Sequence, residues 1–356
     1  MVLGVSGWLT KNEKSIVKVV FRTDANREIG LGHLMRCLAL AQSFERHHVE
    51  TEFWVKDSTV RHCRERHDWV SKIKVIPSFS CDKEETKWVR AELTGNPAVG
   101  CLVIDGYQFS SFYRANLSAL QIPLILFDDN NSSGDLHADI VINSAQDTSK
   151  LGYDLENKNV KQLLGADFRV LREEFNFRPD VPWHMRHGLT ISLGGADINN
   201  YSLMLLRAIS KLDSAIPIRL VTGGAYAHVE QLQQYLLKIA NPVQHIHNCQ
   251  DIADVFSHSK LVIAAAGSTQ YELLACATPA ILLCVADNQK LTAELAKQQG
   301  WCEVYNADEN AIDIVAQKAR QMLSEDDKLL EKHHVAEQLG NVNGAANAVS
   351  EILDYL

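Results

Sequence analysis

Short apolar runs alternate along this chain with longer segments whose apolar positions recur with the period of an α-helix. Most residues in the short runs are apolar, which is typical of strands buried on both faces of a parallel sheet. The runs predict strands at residues 17–21, 52–55, 73–76, 101–104, 124–127, 140–142, 189–192, 218–221, 243–247, 261–264, 279–284 and 302–305. The longer segments predict helices at residues 33–46, 199–212, 228–240 and 289–299. The chain is therefore expected to be an α/β protein.

The alternation is interrupted between Phe177 and Gly188, where two prolines stand among charged residues and histidines. This interruption separates two strand–helix series, so we predict two doubly wound, Rossmann-like domains that face each other across a cleft. The predicted divisions are a loose extension at residues 1–15, an N-terminal domain at 16–178, a C-terminal domain at 188–325 and a helical tail at 326–356. The tail is expected to break near Gly340.

The composition narrows the class of protein. Of 356 residues, 46% are hydrophobic and 22% are charged, which suits two ordinary cores and argues against a disordered chain. A net charge of −9 disfavours non-specific binding to nucleic acid. No apolar run reaches membrane-spanning length, and the eight cysteines form no C-x-x-C pair, which favours reduced thiols. We therefore expect a cytoplasmic monomer or weak oligomer without nucleic-acid or membrane partners.

The first segment that indicates chemistry follows the first predicted strand. Gly30 and Gly32 permit a tight turn and the close approach of a ligand, and a helix is predicted to begin at His33. A neutral imidazole at a helix N-terminus can act as a general base, so His33 is the candidate catalytic residue. A solvated first-turn histidine is the alternative. Arg36 could face a diphosphate or pair with a carboxylate. Met35 stands where a dinucleotide-binding motif has its third glycine, so no such cofactor is predicted.

A second candidate site follows the predicted strand at residues 261–264. Gly267, Ser268 and Thr269 would place backbone N–H groups and hydroxyls at the start of a helix, where a phosphate is stabilised. Glu272 comes about one turn later and could accept hydrogen bonds from the vicinal hydroxyls of a ribose. Ser268 as a simple helix cap, with Glu272 supporting the first turn, fits the spacing equally well. Both interpretations stay open on spacing alone.

Other loops should reach the same cleft because they also follow predicted strands. These are residues 193–197 and 285–289 in the C-terminal half, and Asp105 and residues 128–129 in the N-terminal half. The carboxylates could orient His33, bind a sugar or bind a metal, although capping a loop is their commoner role. No cluster of histidines or cysteines with ligand spacing lies nearby, so no metal site is predicted.

Taken together, these segments resemble one family, the UDP-2,4-diacetamido-2,4,6-trideoxy-β-L-altropyranose hydrolases of pseudaminic acid biosynthesis. The matching segments are FRTD at 21–24, IGLGHLMRCL at 29–38, IDGY at 104–107, FDD at 127–129, LREEF at 171–175, GGAD at 194–197, AGST at 266–269 with Glu272, and DNQ at 287–289. They run in order from about residue 16 to 300, and the set is far more specific than any one member. Residues 1–15 have no counterpart, and the motifs do not fix the sugar.

The resemblance implies a fold and a reaction. The family is related to the glycosyltransferase that makes lipid II and shares its two-domain, B-type fold. Residues 16–178 would then hold the sugar and the catalytic groups, and residues 188–325 would hold UDP. The implied reaction needs neither metal nor cofactor: water attacks the anomeric carbon with inversion. His33 matches the family's essential histidine, and Tyr107 sits where the family has an active-site tyrosine.

The resemblance also assigns the nucleotide. Ser268, Thr269 and Glu272 would serve phosphate and ribose, and residues 248–252 would lie near uracil. The predicted substrate contacts are Arg22, Asp24, Gly32, Arg36, Asp105, Tyr107, Arg172, Gly195, Asp197, Gly267, Ser268, Thr269, Glu272, Asn288 and Gln289.

Two other functions compete with hydrolysis. A glycosyltransferase could use the same UDP-sugar site, but it would need an acceptor site, and no convincing amphipathic basic segment stands in the N-terminal half. A non-catalytic protein could bind the nucleotide sugar intact. The placement of His33 argues mildly against that third function.

Overall fold

The computed structural model describes residues 18–132, 134–145, 151–153 and 159–356. The extension predicted at residues 1–15 lies outside these described residues. Two parallel sheets organise the rest, and each is built from strands that are largely apolar.

The first sheet has seven strands in the order β3-β2-β1-β4-β5-β6-β7. The strands are β1 Lys18–Arg22, β2 Glu50–Val55, β3 Lys72–Val75, β4 Val99–Ile104, β5 Leu124–Phe127, β6 Ile140–Asn143 and β7 Lys161–Leu164. All neighbouring strands pair in parallel. Successive residues of β1 enter different cores, because Val19 and Phe21 join one buried cluster and Val20 joins another. Both faces of this sheet are therefore covered.

Helices connect the first five of these strands, as is usual for parallel neighbours. They are α1 Gly32–Arg46, α2 Asp57–Arg64, α3 Asp82–Thr94 and α4 Ser111–Ser118. Helix α1 turns one apolar stripe inward: Leu34, Cys37, Leu38 and Ala41, at helical spacing, are all fully buried. This packing fixes the start of α1 against the carboxyl end of β1.

The second sheet has six strands in the order β10-β9-β8-β11-β12-β13, again all parallel. The strands are β8 Leu189–Ser192, β9 Ile218–Thr222, β10 Val243–His247, β11 Leu261–Ala265, β12 Ala280–Cys284 and β13 Cys302–Asn306. Its helices are α5 Tyr201–Leu212, α6 Val229–Leu236, α7 Ile252–Ser257, α8 Thr269–Ala275, α9 Lys290–Gln298 and α10 Glu309–Ser324.

Two chain segments cross between the sheets. Residues 165–188, which include the predicted linker, contain short 3₁₀ turns at Ala166–Phe168, Glu173–Phe175 and Trp183–Met185. The C-terminal tail forms α11 Asp326–Leu339 and α12 Gly344–Tyr355, with the break at Gly340. Helix α11 packs on α8, whereas α12 returns to the first sheet and packs on α1. There Ala348, Val349 and Ile352 are fully buried in the core that surrounds β1.

The predicted fold class, two doubly wound α/β units, is confirmed by these two parallel sheets. Sequence periodicity did not indicate β7. This strand begins with Lys161 and Gln162 and lies at the edge of the sheet, where burial does not require an apolar run.

Candidate active site

A cleft of about 780 Å³ lies between the two sheets, and both sheets contribute to its walls. From the first sheet come the loops after β1, β4, β5 and β6. From the second come the loops after β8, β11 and β12. Every one of these loops follows the carboxyl end of a parallel strand, the position at which open α/β sheets bind ligands.

The loop after β1 is held in shape before it reaches the helix. Asn26 Oδ1 accepts hydrogen bonds from the backbone N–H groups of Glu28 and Ile29, each at 2.8 Å. The Gly30 N–H donates to Asn26 O at 2.9 Å, and Gly30 adopts φ +80°, a conformation that favours glycine. Helix α1 begins two residues later at Gly32. His33 therefore stands in the first helical turn and lines the cleft.

His33 is paired with a fully buried carboxylate. Its Nδ1 lies 2.8 Å from Asp105 Oδ1. Arg36, one turn along α1, donates to both oxygens of Asp105, from Nε at 2.8 Å and from Nη2 at 2.7 Å. Cys37 Sγ lies 3.8 Å from Asp105 Oδ2. The helical spacing i, i+3, i+4 thus aims three side chains at one carboxylate at the end of β4.

The carboxylates in this network are held ionised. Burial opposes ionisation of Asp105, but the positive charge of Arg36 and the contact with His33 outweigh it and lower the pKa of Asp105. Arg36 also donates from Nη1 to Asp129 Oδ1 at 2.6 Å. Asp129 is half-buried, and burial opposes its ionisation too, yet Arg36 and Tyr107 lower its pKa to about 2. An ionised Asp105 only accepts hydrogen bonds, so His33 Nδ1 is the donor in this contact.

Tyr107 joins the two walls of the cleft. Its hydroxyl donates to Asp129 Oδ2 at 2.5 Å and accepts from Asn288 Nδ2 at 2.6 Å. Burial of the hydroxyl and the charge of Asp129 raise the pKa of Tyr107. The His33 ring stands edge-on to the Tyr107 ring with 4.9 Å between centroids. Asn288 belongs to the second sheet, so this hydrogen bond crosses the cleft.

The opposite wall offers backbone groups and hydroxyls. Gly267, Ser268 and Thr269 line the cleft at the start of α8. Ser268 is the N-cap of α8, but its side chain makes no capping hydrogen bond. The simple-cap interpretation of Ser268 is therefore not realised. Nearby, Gln289 Oε1 accepts the Val285 N–H at 2.9 Å and fixes the loop after β12.

The loop after β8 touches the other wall directly. Gly194 adopts φ +84°, and a Cβ at position 195 would lie 2.6 Å from Leu31 Cγ. Only glycine at 195 lets the backbone come so close to the loop that precedes α1. Asp197 lines the cleft, but its carboxylate accepts the backbone N–H groups of Tyr201 and Ser202 at 2.9 and 2.8 Å.

The cleft brings together ten of the predicted contacts besides His33: Gly32, Arg36, Tyr107, Gly195, Asp197, Gly267, Ser268, Thr269, Asn288 and Gln289. Asp105 stands directly behind His33. Arg22 and Asp24 lie outside the lining. Arg22 is fully buried, donates to Asp24 and Glu85 at 2.8 Å each, and braces the end of β1.

Arg172 and Glu272 also lie outside the lining, at the junction of the two sheets. Arg172 Nη1 is 2.6 Å from Glu174, and its Nη2 is 3.4 Å from Glu272. Burial, helped by repulsion from Glu272, outweighs the attraction of Arg172 and raises the pKa of Glu174 to about 7. The predicted uracil segment is close by, because the Ala253 N–H donates to Glu174 Oε2 at 3.3 Å.

Sequence reasoning did not single out Asp129 or Arg27 as site residues. Asp129 was one of several acids at strand ends, and only the distances to Arg36 and Tyr107 distinguish it. Arg27 lines the cleft from the turn before Gly30. Its position next to the glycine loop was the one available signal.

In the described part of the chain, one group of potential metal ligands comes within 4.8 Å, formed by His333, His334 and Glu337. These residues belong to α11 and none of them lines the cleft. Among the described helices, none combines the length and apolar character needed to span a membrane.

Comparison with known proteins identifies the fold that forms this cleft. Residues 192–352 match the family model of the Glycosyltransferase family 28 C-terminal domain. The solved structure of Anabaena HepE in complex with UDP-glucose is 12% identical, covers 95% of this chain and 100% of its own, and superposes with a TM-score of 0.63. The chain has the B-type glycosyltransferase fold.

The resemblance carried by the motifs is confirmed by similarity to a protein that carries the family's name. A Campylobacter jejuni protein named UDP-2,4-diacetamido-2,4,6-trideoxy-beta-L-altropyranose hydrolase is 25% identical over 291 residues, or 80% of this chain and 98% of the relative. An uncharacterised protein of Methanocaldococcus jannaschii is 25% identical over 283 residues, or 75% of this chain. The alignment spans 55% of that archaeal relative, so the match covers about half of its length.

Proposed function

We propose that this protein hydrolyses a UDP-sugar between the anomeric carbon and the diphosphate. One observation carries the proposal. An imidazole held by the buried Asp105 stands on one wall of a cleft, and on the other stand the start of α8 and the Ser268 hydroxyl, which makes no capping hydrogen bond. Hydrolysis of a nucleotide sugar needs both, a base for water and support for the departing diphosphate.

The tautomer of His33 suits a general base. Because Nδ1 donates its proton to Asp105, Nε2 keeps a free lone pair, and among the described residues it has no hydrogen-bond partner. Nε2 would take a proton from water while the water oxygen bonds to the anomeric carbon. The bond from that carbon to the diphosphate oxygen breaks, and its electron pair leaves with UDP. Asp105 stabilises the imidazolium that forms. Attack opposite the leaving group inverts the anomeric centre.

The nucleotide would lie along the second sheet. Backbone N–H groups at residues 194–195 and 267–269 would bind the diphosphate, and the Ser268 and Thr269 hydroxyls would add donors. Glu272 would turn from Arg172 to the ribose hydroxyls, with uracil near residues 248–252. The sugar would then face His33 and Tyr107. Asn288, which donates to the Tyr107 hydroxyl across the cleft, would hold that hydroxyl in position.

The relatives support a finer assignment. The Campylobacter relative carries the name of a hydrolase of a diacetamido-trideoxy sugar, and HepE was solved with UDP-glucose. We therefore propose a UDP-linked diacetamido-trideoxy sugar as substrate, a place in pseudaminic acid synthesis, and a reaction in the cytoplasm that needs no metal. All eight cysteines are free thiols, which fits a reducing compartment.

Replacement of the base tests the proposal. The His33→Ala variant should lose turnover by about 10²- to 10⁴-fold, since it lacks the group that activates water. Its affinity for UDP, measured by calorimetry, should stay within about twofold of the wild type. Full turnover in this variant would refute the mechanism.

Glycosyl transfer is the second candidate, because residues 192–352 match a glycosyltransferase family and glycosyltransferase structures have the same fold. Incubation with the UDP-sugar and no acceptor separates the two activities. Rapid release of UDP and free sugar supports hydrolysis, whereas a requirement for an acceptor supports transfer. In oxygen-18 water, label in the sugar means cleavage at the anomeric carbon, and label in UDP means attack at phosphorus.

A further inference from the structure

The cleft contains few positive charges for a site that would hold a diphosphate. The cationic or potentially cationic side chains among the described lining residues are Arg27, His33 and Arg36. The acidic side chains are Glu28, Asp129 and Asp197. With His33 neutral, the formal charges of these lining residues sum to −1. Backbone N–H groups alone would then have to attract a polyanion into a slightly negative cleft.

Arg36 is not available for that purpose. Its guanidinium is already bound to both oxygens of Asp105 and to Asp129, at 2.6 to 2.8 Å. Two carboxylates surround this one cation, so its charge is fully compensated within the wall. Releasing it toward a ligand would leave a buried Asp105 without its partner, which is costly.

Arg27 also lines the cleft, but it differs from Arg36 in that it is exposed and has no carboxylate partner among the described residues. Its backbone is fixed all the same, because it belongs to the turn closed by Asn26 and Gly30. The same loop continues to Leu31, which packs against Gly195 of the opposite wall. Arg27 is therefore a free cation on a rigid turn, in a loop that meets the glycines after β8.

We infer that Arg27 binds the diphosphate of the nucleotide sugar from the N-terminal wall, opposite the backbone donors of residues 194–195 and 267–269. This inference rests on the proposed function. A guanidinium can donate two parallel hydrogen bonds to phosphate oxygens. Because UDP gains negative charge as the sugar departs, the contact would strengthen in the transition state and would also aid UDP departure.

Binding of UDP and of uridine to the Arg27→Gln variant tests the assignment without requiring turnover. The dissociation constant for UDP should rise about tenfold, as expected for one charged hydrogen-bonding group in an exposed position. The constant for uridine, which lacks phosphates, should stay within about twofold. Raising the salt concentration should reduce the difference between variant and wild type for UDP. Arg27→Lys should recover part of the affinity.

Arg64→Gln is the matched control. Arg64 is exposed on α2, lies outside the cleft and, like Arg27, takes part in no ion pair among the described residues, so this variant changes the net charge equally and should bind UDP like the wild type. Equal UDP affinity in Arg27→Gln and Arg64→Gln overturns the assignment, as does an equal loss for UDP and uridine. If the wild type itself binds no UDP, the proposed function fails together with this inference. If the wild type binds and hydrolyses UDP-sugar while Arg27→Gln matches it, the inference alone fails.

Discussion

The two walls of the cleft differ in how far their polar groups are hydrogen-bonded to one another. On the N-terminal wall, side chains are joined to one another before any ligand arrives: His33 to Asp105, Arg36 to Asp105 and Asp129, and Tyr107 to Asp129. On the C-terminal wall, Asp197, Asn288 and Gln289 form hydrogen bonds as well, but the Ser268 side chain makes no capping hydrogen bond and lines the cleft beside the glycine backbone of residues 194–195 and 267. The network around Asp105 thus has its polar groups paired internally, whereas Ser268 and the glycine loops leave theirs available.

The difference separates orientation from binding. A base acts well only if its tautomer and direction are fixed, and the network around Asp105 fixes both without help from substrate. A cradle for phosphate needs donors that are free until the ligand arrives. Changes in the hydrogen-bonded network around Asp105 should therefore reduce turnover, whereas loss of a free donor, whether Ser268 or Arg27, should reduce affinity.

The largest expected effect comes from Asp105→Asn. The amide can donate to His33 Nδ1 and so favour the wrong tautomer, and it loses the charge that stabilises the imidazolium. We expect kcat to fall by about 10²- to 10⁴-fold with UDP affinity nearly unchanged. Steady-state kinetics with calorimetry of UDP binding checks both. Comparable losses in kcat and in affinity would contradict the division between the walls.

A smaller effect is expected from Ser268→Ala on the other wall. Losing one donor to an ionised phosphate should weaken UDP binding roughly 10-fold and raise KM similarly. At saturating substrate, kcat should change by less than about threefold, because His33 and Asp105 are untouched. Val285→Ala, at a lining residue without a polar side chain, serves as a comparison and should leave UDP affinity within about threefold. A kcat that collapses in Ser268→Ala would show that the two walls are not separate in function.

The contrast between the walls also explains what the sequence could predict. The order and location of the apolar strands follow from periodicity, and the segments 124–127, 189–192 and 243–247 coincide with β5, β8 and β10. The position of His33 at the cleft was predictable because its setting is local: a strand, two glycines and a helix start. Ser268 was predictable as a cradle or a cap, and spacing could not decide between them.

Long-range pairing was the part that no local pattern contained. Asp105 is the partner of His33 only because β4 lies next to β1 in the sheet, and strand order is not written in periodicity. The FRTD motif drew attention to Arg22, yet its side chain is buried against Asp24 and Glu85 behind the cleft. Strand β7 was also missed, because it has no apolar run and is recognised as a strand only by its pairing with β6 at the edge of the sheet.

The junction between the two sheets, where Arg172 and Glu174 lie, gives a third prediction. Glu174 is paired with Arg172, but burial raises its pKa to about 7, above its ordinary value near 4.5. A raised pKa means that the folded state binds the proton more tightly, so this contribution to stability is full below about pH 4.5 and is lost as the pH rises through about 7. As the pH rises from 5 to 8, the free energy of unfolding of Glu174→Gln should therefore rise by on the order of 1 to 2 kcal/mol relative to that of the wild type. The attraction of Arg172 is already contained in the raised pKa, so loss of that ion pair needs no separate correction.

Urea unfolding at the two pH values measures this gain. Glu173→Gln is the control, because Glu173 is a neighbour on the same turn that pairs with Arg46 at the exposed surface. Glu173→Gln should change the free energy of unfolding by less than about 1 kcal/mol at both pH values. If Glu174→Gln and Glu173→Gln respond alike to pH, the buried carboxylate is not the source of the pH dependence.

The smallest effect is expected from Cys37, the remaining group aimed at Asp105. Its Sγ lies 3.8 Å from Oδ2, and a thiol is a weak donor beside the bidentate guanidinium of Arg36. Cys37→Ala should lower kcat by no more than about twofold, while removal of the fully buried thiol costs roughly 1 kcal/mol of stability. Kinetics of Cys37→Ala beside Cys37→Ser, which keeps a donor, would measure how far the ion pairs alone orient Asp105. A tenfold loss in Cys37→Ala that Cys37→Ser restores would mean that the thiol, and not the guanidinium alone, sets the direction of the carboxylate.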